Sequence, residues 1–163
     1  MPQELKIAVI DDDPVLCEMV KDILSKKFPG SEISVYSTGE SALKEIGIAP
    51  DVVVLDYQLD SVKADAMNGI QVLTKLKEAY FDLPVVFLTS QDRMDVAANT
   101  IKYGAHDYIV KNETAFQRLE IAIKNIADHR NLKKSYGFQK AMSRFVWAIL
   151  FALIFYVLYL RFQ

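Results

Sequence analysis

Residues 7–13 read IAVIDDD, four apolar residues that run directly into three aspartates. Residues 52–56 read VVVLD, a second continuous apolar run that ends at Asp56. Strands that are apolar without alternation are typical of a parallel sheet covered on both faces. Both stretches therefore predict buried parallel strands, and each strand ends in carboxylates.

The sequence around these two stretches alternates between short apolar runs and segments with apolar residues at helical spacing. Pro29-Gly30 and Gly104 mark the ends of helices. The pattern predicts strands at residues 5–10, 33–36, 52–55, 85–88 and 107–110, and helices at residues 15–28, 41–46, 70–80, 93–103 and 113–130. Five β-α units of this kind predict an α/β fold with a doubly wound, open parallel sheet.

Polar side chains follow four of the five predicted strands. They are Asp11, Asp12 and Asp13 after the first, Asp56 after the third, Thr89 and Ser90 after the fourth, and Lys111 after the fifth. The carboxyl ends of parallel strands lie at one edge of the sheet, where ligands bind in folds of this class. We therefore expect these groups to converge on one cleft.

Clustered carboxylates need a cation, because like charges about 4 Å apart cost roughly 1 to 4 kcal/mol. Mg²⁺ takes one or two carboxylates and leaves positions for phosphate oxygens. A carboxylate can itself be a nucleophile that forms an aspartyl-phosphate, and a lysine and a hydroxyl can hold the phosphate. The set predicts a Mg²⁺-dependent site at which Asp56 accepts a phosphoryl group.

Each element alone has a simpler explanation. The three aspartates could cap the first helix, since acidic residues favour that end. Thr89 could be a cap, and Lys111 could be solvated. Their occurrence at four strand ends favours the functional interpretation.

Taken together, these stretches resemble the receiver domain of bacterial response regulators. The matching motifs are IAVIDDDP at the first strand, VVVLDYQL at the third, VVFLTS at the fourth and GAHDYIVK at the fifth. The resemblance covers about residues 1–130. It implies a flavodoxin-like fold with strand order 2-1-3-4-5.

The resemblance also implies a metal site and an acceptor. Asp56 would be the phospho-acceptor, and Asp11 and Asp12 would be the acidic pair. Asp12 and Asp56 would bind Mg²⁺ directly, and the backbone carbonyl of Gln58 would complete the metal site. Asp11 would also belong to this set of metal-site residues. Asp13 would lie outside that set. The phosphoryl donor would be a sensor histidine kinase or a phosphotransfer protein.

The remaining family roles concern the switch. Lys111 would pair with the phosphate, Thr89 would be the hydroxyl that moves towards it, and Tyr108 would be the aromatic residue that turns inward on activation. Gln58 and Gln91 match the positions that tune hydrolysis of the aspartyl-phosphate. The enzymatic activity implied is at most self-phosphorylation and autodephosphorylation.

The chain departs from the family pattern in two places. Asn112 follows Lys111 where the family usually has proline, which puts the cis peptide often found there in doubt. The loop between Asp56 and Gly69 is longer than usual and contains DSVKADA. It could be a solvated loop. Alternatively, it could place Asp60, Lys63 or Asp65 over the site.

The other candidate reactive residues are few. Cys17 is the single cysteine, which excludes an internal disulfide, and it lies on the apolar side of a predicted helix, which indicates a filler role. His106 and His129 are expected to be structural or solvated. The N-terminus lacks the pattern of a secretory signal, so we expect the body in the cytosol.

Charge is unevenly distributed along the chain. Residues 124–144 hold six basic side chains and one acidic one, whereas residues 1–123 hold 12 basic and 20 acidic ones. An acidic body argues against nucleic-acid binding, and the basic neck indicates a contact with something anionic. Ser135-Tyr136-Gly137 could break or bend the helix within the neck.

Residues 145–160 read FVWAILFALIFYVLYL, with Arg144 and Arg161 on either side. The segment is apolar all round, so it is no ordinary amphipathic helix. At about 24 Å as a helix it falls somewhat short of a ~30 Å hydrocarbon core, but flanking arginines can snorkel. Aromatic residues towards its ends resemble membrane-interface belts.

We therefore predict a receiver domain at 1–130, a basic neck at 131–144 and a transmembrane helix at 145–161. This C-terminal hydrophobic helix would make the protein single-pass in the bacterial inner membrane, with the receiver domain in the cytoplasm. The alternative is a hydrophobic helix buried in an oligomer or a partner.

The leading hypothesis is a stand-alone phosphorylation switch at the membrane. Because the residues after 130 are interpreted as neck and anchor, we expect no DNA-binding or catalytic output domain. An unknown output protein would then bind through a face formed by the fourth and fifth helices. A homodimer could form through that face or through the anchor.

Three other functions compete with this hypothesis. One is a membrane-tethered scaffold whose partner binding does not depend on phosphorylation. An aspartate-nucleophile phosphatase is disfavoured, because Asp56-Tyr57-Gln58 lacks the second aspartate of Asp-x-Asp. A nucleotide-binding domain is disfavoured, because no glycine-rich loop follows the first strand.

Overall fold

The computed structural model describes residues 4–59 and 66–161, with the side chains of 133–141, 143 and 150–160 left out. The chain divides into two compact units, Met1–Ala127 and Asp128–Gln163.

Five strands and five helices alternate along the described chain. The strands are β1 (Lys6–Ile10), β2 (Glu32–Tyr36), β3 (Val52–Leu55), β4 (Val85–Thr89) and β5 (Asp107–Val110). The helices are α1 (Pro14–Lys27), α2 (Gly39–Glu45), α3 (Gly69–Ala79), α4 (Met94–Lys102) and α5 (Ala115–Arg161). The strands form one sheet in the order β2-β1-β3-β4-β5, and each neighbouring pair is parallel. The expected fold and strand order are confirmed.

The sheet buries both of its faces, as its continuous apolar strands require. Because successive side chains point to opposite faces, Ile7 and Val9 pack with α1 and α5, whereas Ala8 and Ile10 pack with residues of α2 and α3. All four residues of β3 are buried. The two layers of helices make this a doubly wound fold.

Local signals place the helices that border the carboxyl edge of the sheet. Asp13 caps α1, because its Oδ1 accepts from the backbone N–H of Val15 at 2.9 Å and of Leu16 at 3.3 Å. Asn68 and Gln71 form a capping box at the start of α3. The sequence therefore determines where both helices begin.

Helix α5 is longer than expected. The pattern predicts that the last helix of the receiver domain ends at residue 130 and that the neck could break or bend at Ser135-Tyr136-Gly137, but the helix continues through these residues to Arg161. One glycine costs only about 1 kcal/mol relative to alanine, too little to end a helix amid good helix formers. The neck is therefore part of α5, while the predicted domain limits at 130 and 144 stay predictions. Other predicted ends differ from the observed ones by one or two residues.

Among the residues that were described, the structure contains no helix long and apolar enough to cross a membrane. The span predicted at 145–161 is thus without support from the structure, and most of its side chains lie outside the described part. All described peptide bonds are trans, including the one before Asn112.

Candidate phosphoryl-acceptor site

Strands β1 and β3 bring three carboxylates together. The two strands are paired, with Ile10 opposite Leu55, and the backbone N–H of Asp56 donates to the carbonyl of Ile10 at 2.9 Å. One oxygen from each of Asp11, Asp12 and Asp56 lies within 4.8 Å of the others. The predicted acidic cluster is therefore present as a geometric unit.

Lys111 reaches the same cluster from the end of β5. Its Nζ donates to Oδ2 of Asp11 at 2.9 Å and to Oδ2 of Asp56 at 3.0 Å, and its backbone N–H donates to the carbonyl of Thr89 at 2.7 Å. Burial alone would lower the pKa of Lys111, but the hydrogen bonds and charges of Asp11 and Asp56 outweigh it and raise the pKa. The ammonium stays charged and bridges two carboxylates that are almost fully buried.

The two aspartates of the acidic pair differ in their partners. Burial raises the pKa of Asp11, against the opposing effects of the Asp13 backbone N–H and Lys111. Burial and then the charge of Asp56 raise the pKa of Asp12. In the described part of the chain, Oδ2 of Asp12 is buried without a hydrogen-bond partner. An orphaned oxygen beside two further carboxylates fits a hard divalent cation such as Mg²⁺.

The other residues that were predicted at or near the metal site lie in different places. Asp13 points its carboxylate at the start of α1, where it acts as the cap described above. Gln58 is exposed two residues beyond Asp56, and the role of its carbonyl as a ligand stays a prediction. Asp60, Lys63 and Asp65 of the long loop lie outside the described residues.

The two residues with predicted switch roles, Thr89 and Tyr108, both contact the backbone of Gln91. Thr89 is fully buried, and its Oγ1 accepts from the N–H of Gln91 at 3.2 Å. The hydroxyl of Tyr108 donates to the carbonyl of the same residue at 2.6 Å. Burial, followed by the nearby Tyr57 and Asp56, raises the pKa of Tyr108 to about 12, so this hydroxyl keeps its proton. Tyr108 is in the inward position, with 8% of its surface exposed.

Two residues that position the site were missed by the sequence analysis. The ring of Phe87 lies between those of Tyr57 and Tyr108, with centroid separations of 6.3 and 6.2 Å. A Cβ added to Gly69 would lie 2.5 Å from the carbonyl oxygen of Asp56, so only glycine allows α3 to approach this closely. In the sequence, Phe87 resembles any core residue of an apolar run, and Asn68-Gly69 resembles any helix start. Neither therefore gives a signal of its role at the site.

The remaining candidates are not part of the site. Cys17 is buried, its Sγ donates to the carbonyl of Asp11 at 3.4 Å, and burial raises the pKa of its thiol to about 11. A thiol of this kind is unreactive at neutral pH. His106 and His129 are exposed.

Comparison with known proteins agrees with this geometry. Residues 7–124 match the family described as the response regulator receiver domain. The chain therefore belongs to the receiver-domain family of two-component response regulators. Receiver domains interact with histidine kinases or phosphotransfer proteins and generally bind Mg²⁺ at an acidic pocket, which here is the Asp11, Asp12 and Asp56 cluster.

Two curated relatives illustrate the similarity. The probable transcriptional regulatory protein TcrX of Mycobacterium tuberculosis is 36% identical over 110 residues, which cover 67% of this chain and 44% of TcrX. The transcriptional regulatory protein MalR of Bacillus subtilis is 28% identical over 142 residues, which cover 86% of this chain and 56% of MalR. The chain thus spans about half the length of these relatives.

Solved structures show the same fold. The BeF3-activated receiver domain of DrrB, a protein of Thermotoga maritima, superposes with a TM-score of 0.67 at 26% identity, covering 77% of this chain and 99% of that one. NtrX of Brucella abortus superposes with a TM-score of 0.71 at 28% identity, covering 83% of this chain and 29% of that one.

Proposed function

We propose that this chain is a phosphorylation-dependent signalling switch in which Asp56 accepts the phosphoryl group of a histidine kinase or phosphotransfer protein. The observation that carries the proposal is the charge arrangement around Asp56. Lys111 bridges Asp56 and Asp11, while Asp12 keeps a buried oxygen that has no hydrogen-bond partner among the described residues.

The reaction is a substitution at phosphorus. An oxygen of Asp56 forms a bond to phosphorus as the bond to the donor nitrogen breaks, and the donor histidine leaves with that electron pair. Lys111 already lies 3.0 Å from Asp56 Oδ2, so its charge is in place to stabilise the negative charge of the incoming phosphoryl oxygens. Asp11, Asp12 and Asp56 would hold Mg²⁺, which would supply positive charge to neutralise the carboxylates and the phosphoryl oxygens.

The conformational response would pass through Gln91. The hydroxyl oxygen of Thr89 accepts a hydrogen bond from the N–H of Gln91, and the hydroxyl of Tyr108 donates one to the carbonyl of the same residue. If the Thr89 hydroxyl turns towards the phosphoryl group, it must release the Gln91 N–H, which removes one of these two hydrogen bonds and loosens the segment that precedes α4. Gln58 and Gln91 would then tune the lifetime of the aspartyl-phosphate.

Labelling with acetyl phosphate and Mg²⁺ tests the acceptor. Wild type should gain an acid-labile, hydroxylamine-sensitive phosphate, and Asp56→Asn should gain none. Asp13→Asn is the matched control, because asparagine also caps helices and Asp13 lies outside the proposed ligand set. Equal labelling of wild type and Asp56→Asn would overturn the assignment.

The proposed output is a protein–protein contact at the inner membrane, through the face of α4 and α5. Met94, Ile101 and Tyr103 are exposed on or beside α4, which supports this surface as a site for an output protein or a homodimer. The apolar sequence of residues 145–160 supports a membrane anchor with the receiver domain on the cytoplasmic side.

Fractionation of a fluorescent fusion with and without residues 142–163 tests the anchor. The full-length fusion should resist extraction by carbonate, whereas the truncated fusion should be released. Extraction of the full-length fusion by carbonate or high salt would exclude a spanning helix. If Asp56→Asn leaves binding of the output protein unchanged, the chain is a scaffold rather than a switch.

A further inference from the structure

Three aromatic rings form a row along one face of the sheet, at its carboxyl edge. Strand pairing places Leu55 opposite Phe87 and Phe87 opposite Tyr108. Tyr57 follows Leu55 by two residues and packs against the same core cluster. Its ring centroid lies 6.3 Å from that of Phe87, and Phe87 stacks on Tyr108 at 6.2 Å with an interplanar angle of 29°. The row therefore connects the residue after the acceptor to the tyrosine with the predicted switch role.

The backbone of Tyr57 is held on both sides, directly beside the acceptor. Its N–H donates to Oδ1 of Asp56 at 2.6 Å, and its carbonyl accepts from the N–H of Gly69 at 2.9 Å. Lys111 binds the other carboxylate oxygen, Oδ2. A hydrogen bond to an ionised carboxylate is about twice as strong as one between neutral groups. Conversion of Asp56 to an acyl phosphate therefore weakens the bond that holds Tyr57.

The other end of the row is Tyr108. Its hydroxyl donates to the carbonyl of Gln91 at 2.6 Å, and its ring rests on Phe87, which is completely buried. Burial is the main cause of the raised pKa of Tyr108, and the nearby Tyr57 is the next, in agreement with a short separation of the two phenol groups. Because a close-packed ring cannot move independently of its neighbours, a shift of Tyr57 changes the support of Tyr108.

We propose that Tyr57 is a positioning residue of the switch, which couples the state of Asp56 to the inward position of Tyr108 through the ring of Phe87. This inference rests on the proposed function of Asp56 and adds Tyr57, to which the family resemblance assigned no role. An aromatic pair of this geometry contributes about threefold to tenfold to an equilibrium constant. That is enough to shift Tyr108 between two positions.

The first test measures the position of Tyr108 without any phosphoryl group. Full-length protein that contains 3-fluorotyrosine is studied by ¹⁹F NMR, and the Tyr108 signal is assigned by its loss in Tyr108→Phe. Tyr57→Leu removes the ring and should shift the Tyr108 signal, whereas Tyr57→Phe keeps the ring and should leave it in place. An unchanged signal in Tyr57→Leu would overturn the proposal.

Tyr80→Leu is the matched control for loss of a ring. Tyr80 is also half-buried and packs against the same core cluster, but its hydroxyl donates to the carbonyl of Ile46 at 3.1 Å. The Tyr108 signal should stay where it is in this variant. A shift as large as that of Tyr57→Leu would show that the signal reports loosened packing, and would overturn the proposal.

The second test measures the coupling itself, with beryllofluoride and Mg²⁺ as the phosphoryl mimic. Tyr57→Leu should weaken beryllofluoride binding by about threefold to tenfold, because the inward position of Tyr108 favours the occupied acceptor. In a Tyr108→Leu background the same substitution should cause no further loss, since two residues that act through one contact are not additive. Tyr80→Leu should bind as wild type does.

The outcomes separate this role from the acceptor function. Equal losses for Tyr57→Leu in the two backgrounds, with normal binding by wild type, would overturn the role of Tyr57 alone. Absence of beryllofluoride binding by wild type would instead overturn the proposed function of Asp56, and the coupling with it. A shifted Tyr108 signal together with a loss confined to the wild-type background would support the coupling.

Discussion

The two units of this chain place charge and apolar surface in opposite ways. In the first unit, Phe87 is completely buried while the charged Asp11 and Asp56 are 4% and 5% exposed. In the second unit, Phe145 and Trp147 are 64% and 61% exposed. Burying a carboxylate and exposing an aromatic ring both cost free energy. In the first unit a lysine offsets part of that cost by pairing with both carboxylates, and the acidic cluster fits a cation. In the second unit the exposed rings mark a candidate contact surface.

The sharpest test of this contrast is the same substitution in both units. Phe87→Ala should lower the free energy of unfolding of the first unit by about 4 kcal/mol, because it removes a fully buried ring. Phe145→Ala should change it by less than about 0.5 kcal/mol, because that ring is exposed. Urea unfolding in Mg²⁺-free buffer measures both, and a large loss for Phe145→Ala would show that this ring is packed.

The next largest effect concerns the buried ion pairs. Lys111→Met should cost about 3 kcal/mol, because it leaves Asp11 and Asp56 as buried carboxylates without their cation. Lys102→Met removes an exposed lysine and should be nearly neutral. Mg²⁺ should restore more stability to Lys111→Met than to wild type. Equal unfolding midpoints for the two variants would show that the bridge contributes nothing.

A smaller effect tests the close approach of α3 to the acceptor. Gly69→Ala should destabilise by about 2 kcal/mol, because the new methyl group meets the backbone of Asp56 and Tyr57. Gly47→Ala is the matched control, since an added Cβ there has no neighbour within 4 Å. Thermal unfolding and acetyl phosphate labelling should both report the difference, and unchanged labelling would mean that the acceptor does not move.

The smallest expected effect is a gain in stability. In EDTA at neutral pH, Asp12→Asn should stabilise by about 1 kcal/mol, because it removes a carboxylate that is partly desolvated and repelled by Asp56. Asp13→Asn should be close to neutral. Thermal unfolding measures both, and Mg²⁺ should raise the midpoint of wild type more than that of Asp12→Asn.

The sign of the pH dependence follows from the same shift. The folded-state pKa of Asp12 is raised above 3.8, so its protonated form favours the folded state. Wild-type stability therefore falls relative to Asp12→Asn as pH rises from below 3.8 through the raised pKa, and the difference is constant above it. A difference that shrinks as pH rises towards neutrality would contradict the assignment.

Much of the structure of the first unit was predictable from the sequence, because the signals that mark its strands and helix ends are local. Apolar runs located all five strands, and Pro29-Gly30 and Gly104 marked helix ends. The convergence of Asp11, Asp56 and Lys111 followed from the rule that parallel strands end at one edge. The strand order came from the family resemblance rather than from periodicity, because hydrophobic pattern does not say which strands are neighbours.

The sequence alone determined the five strands and the first four helices, the set of polar groups at the strand ends and the uneven charge, because these depend on residue type and spacing. That Asp13 caps α1 is a local signal, but only the tertiary structure decided that Asp11 pairs with Lys111 and that Asp12 keeps an oxygen without a hydrogen-bond partner among the described residues. It also decided the roles of Phe87 and Gly69. These depend on distances between strands and helices that are far apart in the chain, and no local pattern encodes them.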